Sequence, residues 1–228
     1  MLTVIIPWRP QPSRMAAFAA VTAWYRDRAE LFGGVDIRTV DSGDAPFNLA
    51  RCRNVGIDGL DDLDAPVVVN DGDTIPEEKP LLAALADAAS SGLVHLPYTV
   101  YRWLGPDGTA EYESGTPIDA CGWTLITGAC SGVYVTTPRT WRAHGGQDQR
   151  FRGWGFEDSA WYAAHTTLLG AVPRRHEGNV YALVHETQQR QGTHYEANAT
   201  LMRRYTGAES DVAAMRHLVF GTGTVPAV

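Results

Sequence analysis

The chain has 228 residues, 44% of them hydrophobic and 20% charged, which suits one packed α/β domain and excludes an intrinsically disordered chain. No run of about 18 apolar residues occurs, so no membrane-spanning helix is predicted. The net charge of -7 argues against a protein that grips nucleic acid through its phosphates.

Thr3 to Pro7 is a short apolar run with no basic segment before it, and it reads as a first strand rather than a signal peptide. Ser13 to Leu31 has helical spacing, with Ser13 as N-cap and Gly33-Gly34 as the stop. Val35 to Val40 alternates as a strand and meets the turn Asp41-Ser42-Gly43. A second helix is predicted over Phe47 to Leu60, a buried strand over Ala65 to Asn70, a third helix over Pro80 to Ala89 and a fourth strand over Leu93 to Leu96. This alternation predicts a parallel sheet covered on both faces. Val100 to Trp123, rich in Gly, Pro and aromatics, reads as a long loop with a hairpin. Val133 to Thr136 reads as a strand, Thr140 to His144 as a short helix, Gly145 to Gly155 as a glycine-rich loop and Glu157 to Leu169 as a helix. Ala182 to Val184 is one more strand, and the tail from about Glu196 is helical. No linker divides the chain. Cys52, Cys121 and Cys130 lack zinc-type spacing, and their odd number points to a reducing cytoplasm.

Three constellations carry chemistry. Asp71-Gly72-Asp73 follows the apolar strand Val67-Val68-Val69, where open α/β sheets bind ligands. Two acids one residue apart, with a glycine to let the backbone turn, can share a divalent cation and its phosphates; the ordinary alternative is a solvated turn. Phe151-Arg152-Gly153-Trp154-Gly155-Phe156-Glu157-Asp158 brackets a tryptophan with glycines and then opens a helix with two acids. First-turn acids are favoured by the helix dipole, but Trp154 between glycines offers a platform for a sugar ring. The acid pair can then orient a hydroxyl and take its proton. His185, after Tyr181 to Val184, reads as an ordinary structural histidine or, as a ligand, would complete a cation site with Asp73, a nitrogen donor that favours Mn²⁺ over Ca²⁺. The small residues Gly128 to Gly132 let backbone approach a ligand. Asn198-Ala-Thr200 is a formal glycosylation sequon without a secretion signal.

In order, these segments resemble GT-A-fold glycosyltransferases, most closely the inverting β-1,4-galactosyltransferase type and its bacterial family-2-like relatives. Val4-Ile-Ile-Pro7-Trp-Arg9 resembles the family's first strand and donor-binding Pro-x-Arg. Phe47-Asn48-Leu-Ala-Arg51-Cys-Arg-Asn54-Val-Gly56 resembles its Phe-Asn-x-Ala-x-x-x-Asn-x-Gly helix. Val69-Asn70-Asp71-Gly-Asp73-Thr-Ile75-Pro76 resembles its Asp-x-Asp segment, and Gly153 to Asp158 its Gly-Trp-Gly-Gly-Glu-Asp acceptor motif. His185 stands where the family has a metal-binding histidine. Two departures are visible. Phe156 replaces a glycine, which predicts a reshaped acceptor pocket, and Pro10-Gln11-Pro12 alters the loop after the first strand.

The resemblance implies a mixed, mainly parallel GT-A sheet flanked by helices in one domain, 1–228, with a nucleotide-sugar half (1–100) and an acceptor half (101–228). It implies a metal-dependent inverting transfer of a hexose or N-acetylhexosamine from a UDP-linked donor to a hydroxyl of a glycan, a protein or another acceptor. Pro7, Arg9, Asp41, Phe47 and Arg51 would line the nucleotide pocket, with Asp41 on the uracil edge. Asp71 would contact the ribose or the metal, and Asp73 and His185 would hold Mn²⁺ or Mg²⁺. Trp154 and Gly155 would meet the acceptor, Glu157 would hold its hydroxyl, and Asp158 would be the general base. The alternatives are a sugar-phosphate nucleotidyltransferase, whose usual basic phosphate loop is represented here by Arg9 alone, and a non-catalytic carbohydrate-binding protein. The arginines Arg139, Arg142, Arg150 and Arg152 are a possible basic patch or a solvated surface paired with acids.

Overall fold

A computed structural model describes residues 1–186 and 191–221. The chain runs through β1 (Leu2–Pro7), α1 (Met15–Arg26), β2 (Val35–Val40), α2 (Leu49–Asp58), β3 (Val67–Asn70), β4 (Thr74–Pro76) and α3 (Glu78–Ser91). Then come β5 (His95–Leu96), β6 (Val100–Leu104), α4 (Gly105–Glu113), β7 (Thr124–Leu125), β8 (Val133–Thr136) and α5 (Pro138–Ala143). The last elements are α6 (Glu157–Leu169), β9 (Arg174–Arg175), β10 (Asn179–Leu183), α7 (Thr193–Ala208) and α8 (Val212–Phe220).

The first sheet has the order β2-β1-β3-β8-β5-β9. β2, β1 and β3 are parallel, so their carboxyl ends share one edge. The wholly parallel sheet of the alternation argument is corrected here: β8 inserts antiparallel between β3 and β5. The second sheet, β4-β10-β6-β7, is mixed, with Ala182 of β10 opposite Thr74 of β4. The mixed α/β arrangement with flanking helices is the expected fold class.

Local differences have local causes. A 3₁₀ turn over Pro12–Arg14 starts the first helix early, so Ser13 lies inside that turn and does not cap α1; Arg14 holds the N-cap position. The expected loop after Val100 contains α4, opened by Pro106 in its first turn with Asp107 beside it. Gly108, a loop signal in the sequence, is required by packing instead, since a Cβ there would lie 2.0 Å from the Gly122 carbonyl oxygen. β4 and β9 are too short to show a period. The expected C-terminal helix is two helices, α7 and α8.

One hydrophobic cluster surrounds the sheets, with Val4, Ile5, Ile6, Val67, Val68, Val69, Val133 and Val135 at its centre. A second, formed by Phe151, Ala160, Ala164, Tyr205, Met215 and Leu218, fastens α6, α7 and α8 together. Alanines on α6 let the helices approach closely.

Two histidines in the core give folding a pH dependence. His165 is fully buried; it accepts a hydrogen bond from Val94 N–H at Nε2 (3.0 Å) and lies 3.1 Å from the Ala171 carbonyl at Nδ1, so the ring is neutral. Burial pulls it down to about 4, and burial beside Trp141, Trp161 and His165 pulls His144 down as well. The unfolded chain therefore binds protons that the folded chain does not, from pH ~6.5 downward. Stability is full above that value and falls as the pH drops toward 4, by about 3 kcal/mol for His165 alone. Urea unfolding at neutral pH and at pH ~5 checks this in wild type and His165→Gln, whose loss on acidification is expected to be smaller.

Candidate active site

The carboxyl ends of β1, β2 and β3 bring the first expected group together. Arg9, two residues past β1, donates through Nε to Asp41 Oδ2 (2.9 Å) and through Nη1 to the Asp44 carbonyl (2.9 Å), and its guanidinium lies 5.2 Å from the Phe47 ring centre. The bond from Arg9 and that from Gly43 N–H hold Asp41 down at about 2. Arg51 joins the group through Asp44 Oδ1 (3.1 Å), and Arg152 reaches Asp44 Oδ2 (2.8 Å). Pro7 is buried at the end of β1. Asp44 and Arg152 were not singled out as members of this group. Asp44 ties the loop after β2 to the Gly-Trp-Gly segment. The other arginines of the suspected patch also face acids, Arg139 on Asp64, Arg142 on Asp58 and Arg150 on Asp148, so the patch is an array of ion pairs.

The Asp-Gly-Asp turn splits its two acids. Asp73 faces His185, with Oδ2 2.7 Å from Nε2. The pairing of β10 with β4 causes this approach, because Leu183 N–H donates to the Asp73 carbonyl (2.8 Å) and His185 follows two residues later. His185 Nδ1 lies 2.7 Å from the Glu186 carbonyl, so Nδ1 carries hydrogen and Nε2 points at Asp73. Burial pulls the imidazole down, but the bond and charge of Asp73 outweigh it and leave it above its ordinary value. Gly72, in the turn, has ordinary φ, and a Cβ there would stand 3.3 Å from the Trp8 ring, which is stacked on Phe18.

Asp71 points the other way, to Arg53, which no motif marks. Arg53 of α2 is fully buried and donates from Nη2 to Asp71 Oδ1 (2.6 Å) and from Nη1 to Asp158 Oδ1 (2.7 Å) and Gln147 Oε1 (2.8 Å). Tyr134 O–H (2.6 Å) and Gln147 Nε2 (3.2 Å) also donate to Asp158 Oδ1. Asp158 is thus oriented through one oxygen, leaving Oδ2 for a further partner. Burial raises the Asp71 carboxyl to about 6 against the pull of Arg53, and the charges of Asp73 and Asp158 add to the rise. A signal for Arg53 existed. Ala50, Arg53 and Ile57 follow the three-and-four spacing of a buried helical face, and an arginine on that face needs acids inside.

The Gly-Trp-Gly segment leads into α6. Glu157 is 9% exposed, and its Oε2 has no hydrogen-bond partner among the described residues; burial and then the Asp158 charge raise its carboxyl well above the usual range. Trp154 is 36% exposed and lies 6.2 Å from Tyr195 of α7 with near-parallel rings. Gly155 is buried. Phe156 takes φ 73°, a left-handed conformation that costs a non-glycine residue about 1 kcal/mol, and its ring packs at 5.2 Å on Tyr195. The glycine-to-phenylalanine departure thus places an aromatic between the loop and α7. Asn198, 2% exposed, accepts from Arg152 N–H (3.1 Å) and donates to the carbonyls of Arg152 (2.9 Å) and Gly155 (3.2 Å). The sequon asparagine is a buried clamp under this loop. A cavity of about 540 Å³ opens beside α6, lined by Gly128, Cys130, Ser159, Tyr162, Arg175 and Met202 among others. Burial pushes the Cys130 thiol up to about 12, which leaves it unreactive near neutrality.

No protein-family model and no curated protein sequence matches the chain. Solved structures do. The catalytic domain of Drosophila beta-1,4-galactosyltransferase 7, in complex with xylobiose, aligns over 87% of this chain and 79% of its own with a TM-score of 0.56 and 17% identity. GalNAc-T7 with UDP, GalNAc and Mn²⁺ aligns over 96% of this chain with a TM-score of 0.55 and 8% identity. The chain has the GT-A fold. A mutant of the Drosophila enzyme with manganese, UDP-Gal and xylobiose aligns over 76% of this chain with a TM-score of 0.48 and 18% identity. The chain spans 63% of that protein's length and 54% of GalNAc-T7. In GT-A terms, the carboxyl edge of β1–β3 is the sheet edge at which the groups above assemble. Among the described residues, no helix is long and apolar enough to cross a membrane.

Proposed function

We propose that this GT-A chain is a metal-dependent inverting glycosyltransferase using a UDP-linked hexose or N-acetylhexosamine. The observation that carries the reading is the buried Arg53 fork. It joins the end of β3, beside the Asp73–His185 pair, to Asp158 at the start of α6. Residues 1–100 would supply most of the nucleotide-sugar half and 101–228 the acceptor half, with His185 returning to the donor side.

A carboxylate oxygen and an imidazole nitrogen 2.7 Å apart are a donor set for Mn²⁺ or Mg²⁺, with the nitrogen favouring Mn²⁺. When bound there, the cation would offset the charge that develops on the departing diphosphate. Arg9, Asp41, Phe47 and Arg51 would hold the nucleotide. Asp71, fixed by Arg53, would face the ribose or the cation. Trp154 would stack on the acceptor sugar. Glu157, protonated near neutrality by its burial, would hold the acceptor hydroxyl. Asp158 would take the proton from that hydroxyl as its oxygen attacks the anomeric carbon. The bond from that carbon to the diphosphate oxygen breaks on the opposite face, UDP leaves with the electron pair, and one displacement inverts the centre.

The test is UDP release from a panel of nucleotide sugars with and without Mn²⁺. Metal-dependent release from one UDP-sugar is expected; metal-independent binding of sugars with no release from any donor would favour a carbohydrate-binding protein. Asp73→Ala and His185→Ala are each expected to abolish the Mn²⁺ dependence of UDP affinity in calorimetric titrations. Unchanged titrations in both variants would place the cation elsewhere.

A further inference from the structure

The outer part of the first sheet carries a second cluster of ligating side chains. Asp87 stands on α3, His95 on β5 and His176 directly after β9, the edge strand paired with β5. His95 Nδ1 lies 2.8 Å from His176 Nε2, and one ligand atom from each of the three residues lies within 4.8 Å of the other two. Among the described residues, no other three His, Cys, Asp or Glu side chains converge in this way.

The surroundings prepare His95 as a ligand. It is fully buried, and its Nε2 lies 2.7 Å from Ser91 Oγ, which already accepts from Leu93 N–H (3.1 Å). A hydrogen on Nε2 satisfies that contact and leaves the Nδ1 lone pair directed at His176. This is the outer-shell arrangement that fixes metal-binding imidazoles. Arg174 is the competing cation, but its contact with Asp87 is 3.7 Å long and both side chains are about half exposed, which makes it a weak pair.

We infer that Asp87, His95 and His176 form a Zn²⁺ site, separate from the proposed catalytic centre. Two imidazole nitrogens and one carboxylate oxygen are a donor set for Zn²⁺, with a water in the fourth position of a tetrahedron. The site would staple a helix, an inner strand and a two-residue edge strand. Its consequence reaches the cavity beside α6, because Arg175 of β9 donates to the Ala129 carbonyl (2.6 Å) between the lining residues Gly128 and Cys130. The site stands whether or not the chain transfers sugar.

The test uses the full chain carrying Asp73→Ala, which disables the Asp73–His185 pair, and counts retained Zn²⁺ by elemental analysis after gel filtration. Titration of the metal-free protein with Co²⁺ gives a second readout through tetrahedral d–d absorption. One Zn²⁺ per chain, tetrahedral Co²⁺ absorption and a melting temperature that rises with Zn²⁺ are expected. Adding His176→Ala is expected to remove all three, and Asp87→Asn, an exposed change that spares the fold, to weaken Co²⁺ binding by at least about 10-fold. Absence of retained Zn²⁺ together with silent Co²⁺ titrations would overturn the inference and leave a histidine–histidine hydrogen bond. Zn²⁺ retention left unchanged by both Asp87→Asn and His176→Ala would overturn it as well.

Discussion

Asp158→Asn is expected to lower the rate of sugar transfer by about 10³-fold, within the range that general bases supply, while Mn²⁺-dependent UDP affinity stays within about twofold. The asparagine keeps an oxygen for Tyr134, Gln147 and Arg53, so the side chain can stay in place. What it loses is the ability to take a proton. The measurement is UDP release with the preferred donor under saturating acceptor, alongside calorimetric UDP binding. Turnover near that of wild type would end the assignment of Asp158, and loss of UDP affinity in step with rate would make it a donor-site residue instead.

Arg53→Met is expected to damage both stability and rate. It removes the cation shared by Asp71 and Asp158 and leaves two carboxylates beside each other in a largely buried site. Breaking a buried pair costs about 3–5 kcal/mol, a large part of a domain's total stability. Arg53→Lys separates position from charge. Lysine keeps the charge but cannot present two nitrogens to two acids in a planar fork. The lysine variant is expected to fold, to bind UDP and to turn over about 10²-fold more slowly, a step in rate of the size that misplacing a catalytic group brings. The kcat–pH profile is also expected to shift, because the guanidinium hydrogen bond that helps hold the buried Asp71 carboxyl down is altered. A lysine variant with a wild-type kcat and an unmoved pH profile would reduce Arg53 to a packing role.

Much of the local structure was legible before any coordinates. The bounds of β2, β8 and α6 follow from alternation, from apolar runs and from glycines that stop helices, all signals within one short window. The Asp-Gly-Asp turn, the Gly-Trp-Gly-Phe-Glu-Asp segment and His185 could be picked out because their residue types are unusual for their positions. Arg9, Asp41, Phe47 and Arg51, distributed over three segments, also lie together in the structure.

Contacts between distant segments were decided only by the tertiary structure. A strand's own sequence carries its period but not its neighbour, so the antiparallel insertion of β8 between β3 and β5 was invisible locally. The 2.7 Å approach of His185 to Asp73 depends on the register of β10 against β4. The role of Arg53 depends on Asp71 and Asp158, the acids that allow its burial, which lie far along the chain. Asn198, a formal sequon in the sequence, is buried because its side chain bonds the Gly-Trp-Gly loop from α7. Burial of a polar group is affordable only when partners arrive from elsewhere. The sequence by itself therefore determined most of the longer elements and the chemical types at the candidate site, and tertiary pairing decided which of those groups meet.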